Sequence, residues 1–160
     1  MNFNVLTIFP EIFDIFDSGV ISKALANKNF SLNCLNIRDH AINKHGQIDA
    51  KPYGGGEGMV MMAEPLKKSL DDIPKEELGH VIYLSPQGSK LNQSKVITLS
   101  KMESLTLICG RYEGVDQRFI DKYVDEEISI GDFVLSGGEL PAAVVCDAVI
   151  RLLPGVLGDE

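Results

Sequence analysis

The fold is decided by residues 127–141, EISIGDFVLSGGELP, near the end of a 160-residue chain. A short strand is predicted at Glu127–Ile130, followed by a glycine-bearing loop from Gly131 to Gly138. An apolar helix is predicted from about Glu139 to Leu153, with Pro141 in its first turn, where a missing N–H costs nothing. A strand, a loop and a covering helix in this order are typical of an α/β domain.

The same alternation runs through the rest of the chain. Earlier strands are predicted at Phe3–Phe9, Phe30–Ile37, Val81–Leu84 and Leu105–Cys109. Helices are predicted between them, over residues 12–25, 64–70, 92–102 with Asn92 as N-cap, and 116–123. The pattern predicts a single α/β domain over residues 1–160, with a mainly parallel sheet and helices on both faces.

Composition excludes several classes of protein. Acids appear early in the chain, and no stretch approaches the roughly 18 apolar residues of a membrane span, so we expect a cytoplasmic protein without a membrane partner. Three cysteines standing singly favour buried thiols over disulfides, and the three histidines lack metal-ligand spacing, so no metal is predicted. A net charge of −8 is unfavourable for a protein that binds nucleic acid, because the phosphates are also negative. If RNA is the substrate, most phosphate contacts have to come from another domain or subunit.

Three glycine-bearing loops follow predicted strands: Ser85–Gly88, Gly110–Gly114 and Gly131–Gly138. Ligands of open α/β sheets bind beyond the carboxyl ends of the strands, and glycine allows close approach of the backbone. The dinucleotide and triphosphate glycine motifs are absent, and Arg111 is the single fixed cation in these loops. A ligand without phosphate therefore fits better than a triphosphate. S-adenosylmethionine is one such ligand, and the residues alone narrow the choice no further.

A fourth glycine-rich stretch, residues 43–58, is too long for a simple connection. Its glycines and polar side chains cannot pack a core, so we expect it to be mobile without RNA.

Four motifs in this order resemble the TrmD family, the tRNA (guanine-37-N1)-methyltransferases. They are KPYGGGEGM at 51–59, GRYEGVD at 110–116, EISIGDFVLSGGELP at 127–141 and RLLPGVLG at 151–158. The resemblance runs from Phe9-Pro10 to the last residues. It implies the SPOUT fold, with a C-terminal trefoil knot that general topology rules would otherwise exclude. It also implies a homodimer, in which the partner subunit completes each active site, and S-adenosylmethionine as the methyl donor for N1 of guanosine 37 in tRNA.

Carried onto this sequence, the resemblance implies a cofactor pocket built from the three loops and the residues beside them. Its members are Tyr83, Leu84, Ser85, Pro86, Gln87, Gly88, Gly110, Tyr112, Glu113, Gly114, Ser129, Ile130, Gly131, Asp132, Phe133, Val134, Leu135, Gly137, Gly138 and Pro141. The adenine would meet backbone groups of residues 130–135 and the side chains of Leu84 and Leu135. Phe133 stands where tyrosine is common in the family, a departure that matters only if a hydroxyl contact is needed.

The reaction itself requires a base near guanine N1 and positive charge near O6, where negative charge develops. Arg151 matches the catalytic arginine of the family, although its position alone suggests a helix-end cation. Glu113 matches an acid near the methionine end of the cofactor and is a candidate ligand for Mg²⁺ in the full-length enzyme. Asp116, Asp132 and Glu139 are expected to be caps or helix-start acids.

The family's general base is an aspartate beyond the PGVLG motif, and we expect it past residue 160. The helical domain that grips the anticodon region of tRNA is expected there as well. The chain is therefore predicted to bind S-adenosylmethionine but to methylate tRNA poorly or not at all. Two alternatives are another knotted RNA methyltransferase, acting on rRNA or a ribose 2′-hydroxyl, and a non-catalytic nucleotide-binding module.

Overall fold

The computed structural model describes residues 1–158, in which strands and helices alternate. The strands are β1 Asn2–Thr7, β2 Ser31–Asn36, β3 Asp49–Ala50, β4 Val60–Met61, β5 His80–Lys90, β6 Ser104–Cys109 and β7 Glu126–Ser129. The α-helices are α1 Gly19–Ala26, α2 Ala63–Asp71, α3 Lys75–Leu78, α4 Gln93–Ser100, α5 Gln117–Tyr123 and α6 Glu139–Ile150. Short 3-10 helices cover Pro10–Asp17 and Ile37–His40.

Five strands form one sheet in the order β2-β1-β6-β5-β7, and every pairing in it is parallel. Successive side chains of a strand point to opposite faces, so each face of the sheet has its own hydrophobic cluster. On β6, Leu105 and Leu107 pack in one cluster together with residues of α1, α4 and α6. Ile108 packs in the other, with residues of α2 and α5. The predicted parallel α/β fold with helices on both faces is confirmed.

Two helix starts follow from side-chain caps. The Asn92 side chain accepts a hydrogen bond from the Lys95 amide at 2.9 Å, as expected for the N-cap of α4. The Asp116 side chain accepts one from the Arg118 amide at 2.9 Å, so Asp116 is a cap for α5, as predicted.

The third strand is longer than predicted. It was expected to end at Leu84, but β5 continues to Lys90 through an irregularity in its pairing with β7. Both Leu84 and Ser89 lie opposite Ile128, so the intervening residues bulge out of the ladder. The predicted loop Ser85–Gly88 is therefore a bulge held within a strand rather than a free turn.

The glycine-rich stretch 43–58 lies largely within a short hairpin, β3–β4, that the sequence does not predict. β3 pairs antiparallel with β4, and Met61 of β4 also bonds to the segment before α5. The Met61 amide donates to the Gly114 carbonyl at 2.9 Å, and the Asp116 amide donates to the Met61 carbonyl at 2.9 Å. These backbone hydrogen bonds connect the end of the hairpin to the loop after β6. The mobility of residues 43–58 stays a prediction.

Three further expectations concern the whole domain. Cys109 and Cys146 are buried and Cys34 is half-buried, and all three are free thiols. Within residues 1–158, no helix has the length and apolar character needed to cross a membrane. No knot is visible in this part of the chain, and the trefoil knot stays a prediction.

Candidate functional site

A cleft of about 460 Å³ opens at the carboxyl ends of β5, β6 and β7. The bulge of β5, the loop after β6 and the loop after β7 form its walls. These are the three glycine-bearing segments, and their convergence follows from the parallel arrangement of the strands.

Close contact between two of the loops depends on glycine. The Gly138 amide donates to the Gly110 carbonyl at 2.9 Å. A Cβ on Gly138 would lie 2.9 Å from the Cys109 Cα and 3.0 Å from the Gly110 nitrogen, closer than real side chains approach backbone. The loop after β7 can therefore rest on the end of β6 only if its last residue has no side chain.

Tyr83 forms part of the cleft wall. Its ring packs on Gly110, where an added Cβ would lie 3.0 Å from the ring. Burial raises the pKa of the Tyr83 hydroxyl, and the nearby negative charge of Glu127 raises it further. The hydroxyl therefore stays neutral in the neutral pH range and can act as a hydrogen-bonding group.

Arg111, the single fixed cation of the three loops, is paired with Glu139. Its Nε donates to Glu139 Oε1 at 2.5 Å, and its guanidinium lies 4.5 Å from the centre of the Phe9 ring. Glu139 is only 1% exposed. It does stand in the first turn of α6, as predicted for a helix-start acid, but its carboxylate neutralises a cation of the cleft wall. That partnership was missed because it joins a loop residue to a helix residue 28 positions further along the chain.

Glu113 lies at the edge of the cleft nearest the glycine-rich stretch. The Glu113 amide donates to the Met59 carbonyl at 2.9 Å. A Cβ on Gly58 would lie 2.9 Å from Glu113 Oε1, so Gly58 leaves the room that this carboxylate occupies. The neighbouring Tyr112 has a φ of 61°, a left-handed conformation uncommon outside glycine, and its side chain is exposed.

The cleft brings together all the predicted cofactor residues except Gly88 and Asp132. Gly88 packs instead on strand β7, where a Cβ would lie 2.5 Å from the Glu127 carbonyl. The Asp132 carboxylate pairs with Lys90 Nζ at 2.5 Å on the surface, so it is neither a cap nor part of the cleft wall. Contact of the remaining residues with a cofactor stays a prediction.

Several lining residues were not predicted. They are Val115, Gln117, Ile120, Glu127 and Ile128. Gln117 and Ile120 belong to α5, and the packing of this helix against the sheet brings them to the cleft. No loop motif signals such positions.

Arg151 is not among the residues that line the cleft. It follows the last residue of α6 and is exposed, whereas Gly138 and Pro141 at the other end of this helix line the cleft. The 12 residues of α6 separate the two ends by about 18 Å at 1.5 Å per residue. The structure therefore places Arg151 far from the cleft of its own chain.

No group of three or more metal-ligating side chains occurs within residues 1–158. Glu113 thus belongs to no such group in that part of the chain.

The family model described as tRNA (Guanine-1)-methyltransferase TrmD matches residues 1–160. The chain belongs to the TrmD family. A tRNA (guanine-N(1)-)-methyltransferase of Francisella philomiragia is 52% identical over all of this TrmD-family chain, which covers 64% of that relative. One of Pseudoalteromonas translucida is 54% identical over 96% of the chain, which covers 62% of the relative. The chain thus spans a little less than two thirds of the length of these relatives.

A solved structure shows the same fold. The tRNA (m1G37) methyltransferase from Aquifex aeolicus superposes on the whole of this TrmD-family chain with a TM-score of 0.89 at 44% identity, and the match covers 73% of that structure's chain. The resemblance of the four motifs is thereby confirmed as family membership, and the fold as that of a TrmD methyltransferase.

Proposed function

We propose that this chain is the S-adenosylmethionine-binding domain, residues 1–160, of a tRNA methyltransferase that transfers a methyl group to N1 of guanosine 37. The observation that carries the proposal is the cleft, where three loops converge at the carboxyl ends of parallel strands. Family membership adds the reaction class, since relatives that match the whole chain bear the name tRNA (guanine-N(1)-)-methyltransferase.

The cleft suits S-adenosylmethionine better than a nucleotide. Its wall includes Gly110, Gly131 and Gly138, where no side chain keeps a ligand from the backbone, and Arg111 is already balanced by Glu139. A triphosphate would lack positive charge to neutralise it, whereas the adenosyl group needs only close backbone approach. Exposed Phe133, Val134 and Leu135 add apolar surface where the adenine would lie. The bound cofactor supplies an electrophilic methyl group.

Glu113 and Arg151 are the catalytic residues we propose. Glu113 would face the methionine end of the cofactor, because its loop forms the cleft edge beside the glycine-rich stretch. Its negative carboxylate would there attract the positively charged ammonium group of the cofactor. A requirement for Mg²⁺ is proposed only for the complete gene product, because Glu113 alone does not make a metal site.

Arg151 would stabilise the charge that develops on guanine O6. It lies at the far end of α6 from its own cleft, so we propose that it serves the cleft of a second copy in a homodimer. Exposed Leu140 and Val144 on α6 support a dimer, because apolar side chains on a helix surface favour contact with another subunit.

The proposed substrate partner is tRNA, at its anticodon region, and the proposed location is the cytoplasm. The chain carries a net charge of −8, so much of the phosphate contact would come from outside these residues. The general base near N1 would also come from outside them. We expect this chain alone to bind the cofactor and to methylate tRNA weakly or not at all.

Calorimetry tests the cofactor assignment. S-adenosylmethionine and S-adenosylhomocysteine should bind with 1:1 stoichiometry, whereas ATP should give no binding heat. Binding of ATP with equal or higher affinity would favour a nucleotide-binding module and overturn the proposal.

Mapping of the modified nucleoside tests the reaction. The complete gene product, incubated with unmodified tRNA and labelled S-adenosylmethionine, should yield 1-methylguanosine at position 37. Label on a ribose 2′-hydroxyl, or on rRNA in preference to tRNA, would instead identify another knotted RNA methyltransferase.

A further inference from the structure

A second cleft of about 530 Å³ lies on the other side of the ladder between β4 and residues 113–116. We name it the β4 groove. It is lined by the hairpin β3–β4, the start of α2 and the exposed side of α5. Its polar lining residues include Lys51, Tyr53, Glu64, Asp116, Arg118 and Lys122.

Aromatic rings and cations stand together at this groove. Tyr53 is 92% exposed, and the Arg118 guanidinium lies 5.4 Å from its ring centre. On the floor, the rings of Phe119 and Tyr123 lie 5.2 Å apart, with Lys122 Nζ 5.4 Å from the centre of the Tyr123 ring. An almost fully exposed tyrosine has little stabilising role in the fold, which leaves its ring faces available to a ligand.

The local charge is positive although the chain is acidic. Each carboxylate of the groove has a cation: Asp116 pairs with Arg118 at 2.6 Å, and Glu64 pairs with Lys68 at 3.0 Å. Lys51 and Lys122 form no ion pair with any carboxylate of residues 1–158. Two uncompensated ammonium groups therefore flank the rings, on a chain whose net charge is −8.

The groove adjoins the cofactor cleft along one stretch of backbone. Val115 lines the cofactor cleft, and the adjacent Asp116 lines the β4 groove. Between the two clefts runs a single ladder of backbone hydrogen bonds, from Glu113–Met59 to Asp116–Met61. An extended ligand in the groove would cross this ladder and reach the Glu113 edge of the cofactor cleft.

We propose that the β4 groove binds a single-stranded segment of the RNA substrate next to the target base. Tyr53 stacks on a base, and Lys51 and Lys122 contact the phosphates on either side. Exposed aromatic rings between cations are the usual means of holding unpaired nucleotides, since every base has a stacking face. This inference rests on the proposed function, because it assumes that the neighbouring cleft holds the methyl donor.

The test measures binding of a fluorescein-labelled tRNA anticodon stem-loop with guanosine at position 37. Fluorescence anisotropy at several salt concentrations gives the affinity and its salt dependence. Tyr53→Ala should weaken binding about fivefold or more, whereas Tyr53→Phe, which keeps the ring, should bind as the unmodified protein does. Lys122→Gln should weaken binding and lower the salt slope by about 0.7, the loss of one phosphate contact.

Lys101→Gln is the matched control. Lys101 is an exposed lysine just before β6, at the amino end of the strands and away from the groove. Its loss should change neither affinity nor slope. All variants should retain the unmodified melting temperature and affinity for S-adenosylhomocysteine, since none lies in the cofactor cleft.

The outcomes separate the two proposals. Equal effects of Tyr53→Ala and Lys101→Gln, or no stem-loop binding at low salt, would overturn the groove assignment while cofactor binding still supports the proposed function. Tighter binding of an acidic peptide than of the stem-loop would overturn it as well. Failure of S-adenosylhomocysteine to bind the unmodified protein would instead overturn the proposed function.

Discussion

At the scale of the residue, Gly138 sets the spacing between two walls of the cofactor cleft. A side chain at this position would collide with the Cα of Cys109 and the nitrogen of Gly110, and these backbone atoms cannot rotate away. We expect Gly138→Ala to lower the free energy of unfolding by about 1–3 kcal/mol and to weaken S-adenosylhomocysteine binding. Urea denaturation and calorimetry measure the two effects.

Gly158→Ala is the control for Gly138, since a Cβ there meets no atom within 4 Å. It should change neither quantity. A Gly138→Ala protein with unmodified stability and affinity would show that the loops can separate without cost.

Arg111 and Glu139 form a second residue-scale feature, because each neutralises the other in a largely buried position. Arg111→Met should lower the free energy of unfolding by about 3–5 kcal/mol, since it leaves a buried carboxylate without its cation. The double variant Arg111→Met/Glu139→Gln should recover part of this loss. A double-mutant cycle from urea denaturation measures the coupling, and strictly additive losses would contradict the pairing.

At the scale of the element, the starts of β5 and β7 are joined by side chains. Glu126 of β7 accepts hydrogen bonds from His80 at 2.8 Å and from Lys95 of α4 at 2.6 Å. Burial acts to raise the pKa of Glu126, but the bonds from Lys95 and His80 outweigh it and hold the pKa below 4.5. A carboxylate whose pKa is lowered by folding stabilises the fold above its unfolded pKa, and this contribution is lost as the pH falls through the folded pKa.

We therefore expect the free energy of unfolding to decrease as the pH falls below about 4.5, and Lys95→Met to flatten that decrease. Urea denaturation at a series of pH values from 6 to 3 measures it. Lys101→Met removes an exposed lysine without this partner and should leave the slope unchanged. An equal slope in Lys95→Met and the unmodified protein would rule out the Lys95–Glu126 contact as its source.

The sequence predicts those elements whose causes are local. Asn92 and Asp116 mark helix starts because each caps amides two or three residues away. Strand β4 and the extension of β5 were missed because both depend on partners far along the chain, the segment 113–116 and strand β7. The same distinction holds for the cofactor cleft, where loop glycines were predictable from the strand ends. Ile120 reaches the cleft through helix packing, which no local pattern encodes.

At the scale of the whole molecule, the distance between Arg151 and its own cleft makes the proposed dimer testable in the complete gene product. Arg151→Ala should abolish methylation but leave cofactor affinity unchanged, because Arg151 does not line the cleft and the variant keeps that cleft intact. Gly131→Val should block the cleft of its own chain, because the added side chain would fill space in the cleft wall beside the exposed Phe133 ring.

Co-refolding of equal amounts of these two inactive proteins should restore about a quarter of the unmodified activity. Half of randomly formed dimers are mixed, and each mixed dimer holds one complete site. Methylation assays of the mixture and of each protein alone provide the measurement. An inactive mixture that still forms mixed dimers would place Arg151 in the cleft of its own chain.

Helix α6 begins at the cleft and ends at Ile150, just before Arg151, and a straight helix cannot bend its far end back to its near end. If Arg151 serves the cleft of a partner, as proposed, one subunit cannot catalyse alone, and the rate of methylation then depends on dimer formation. Below the dissociation constant of the dimer, activity should rise with the square of the protein concentration. An inactive allele made in the same cell would not reduce the output of the normal gene copy, because each mixed pair keeps one complete site per normal subunit, as a normal dimer does.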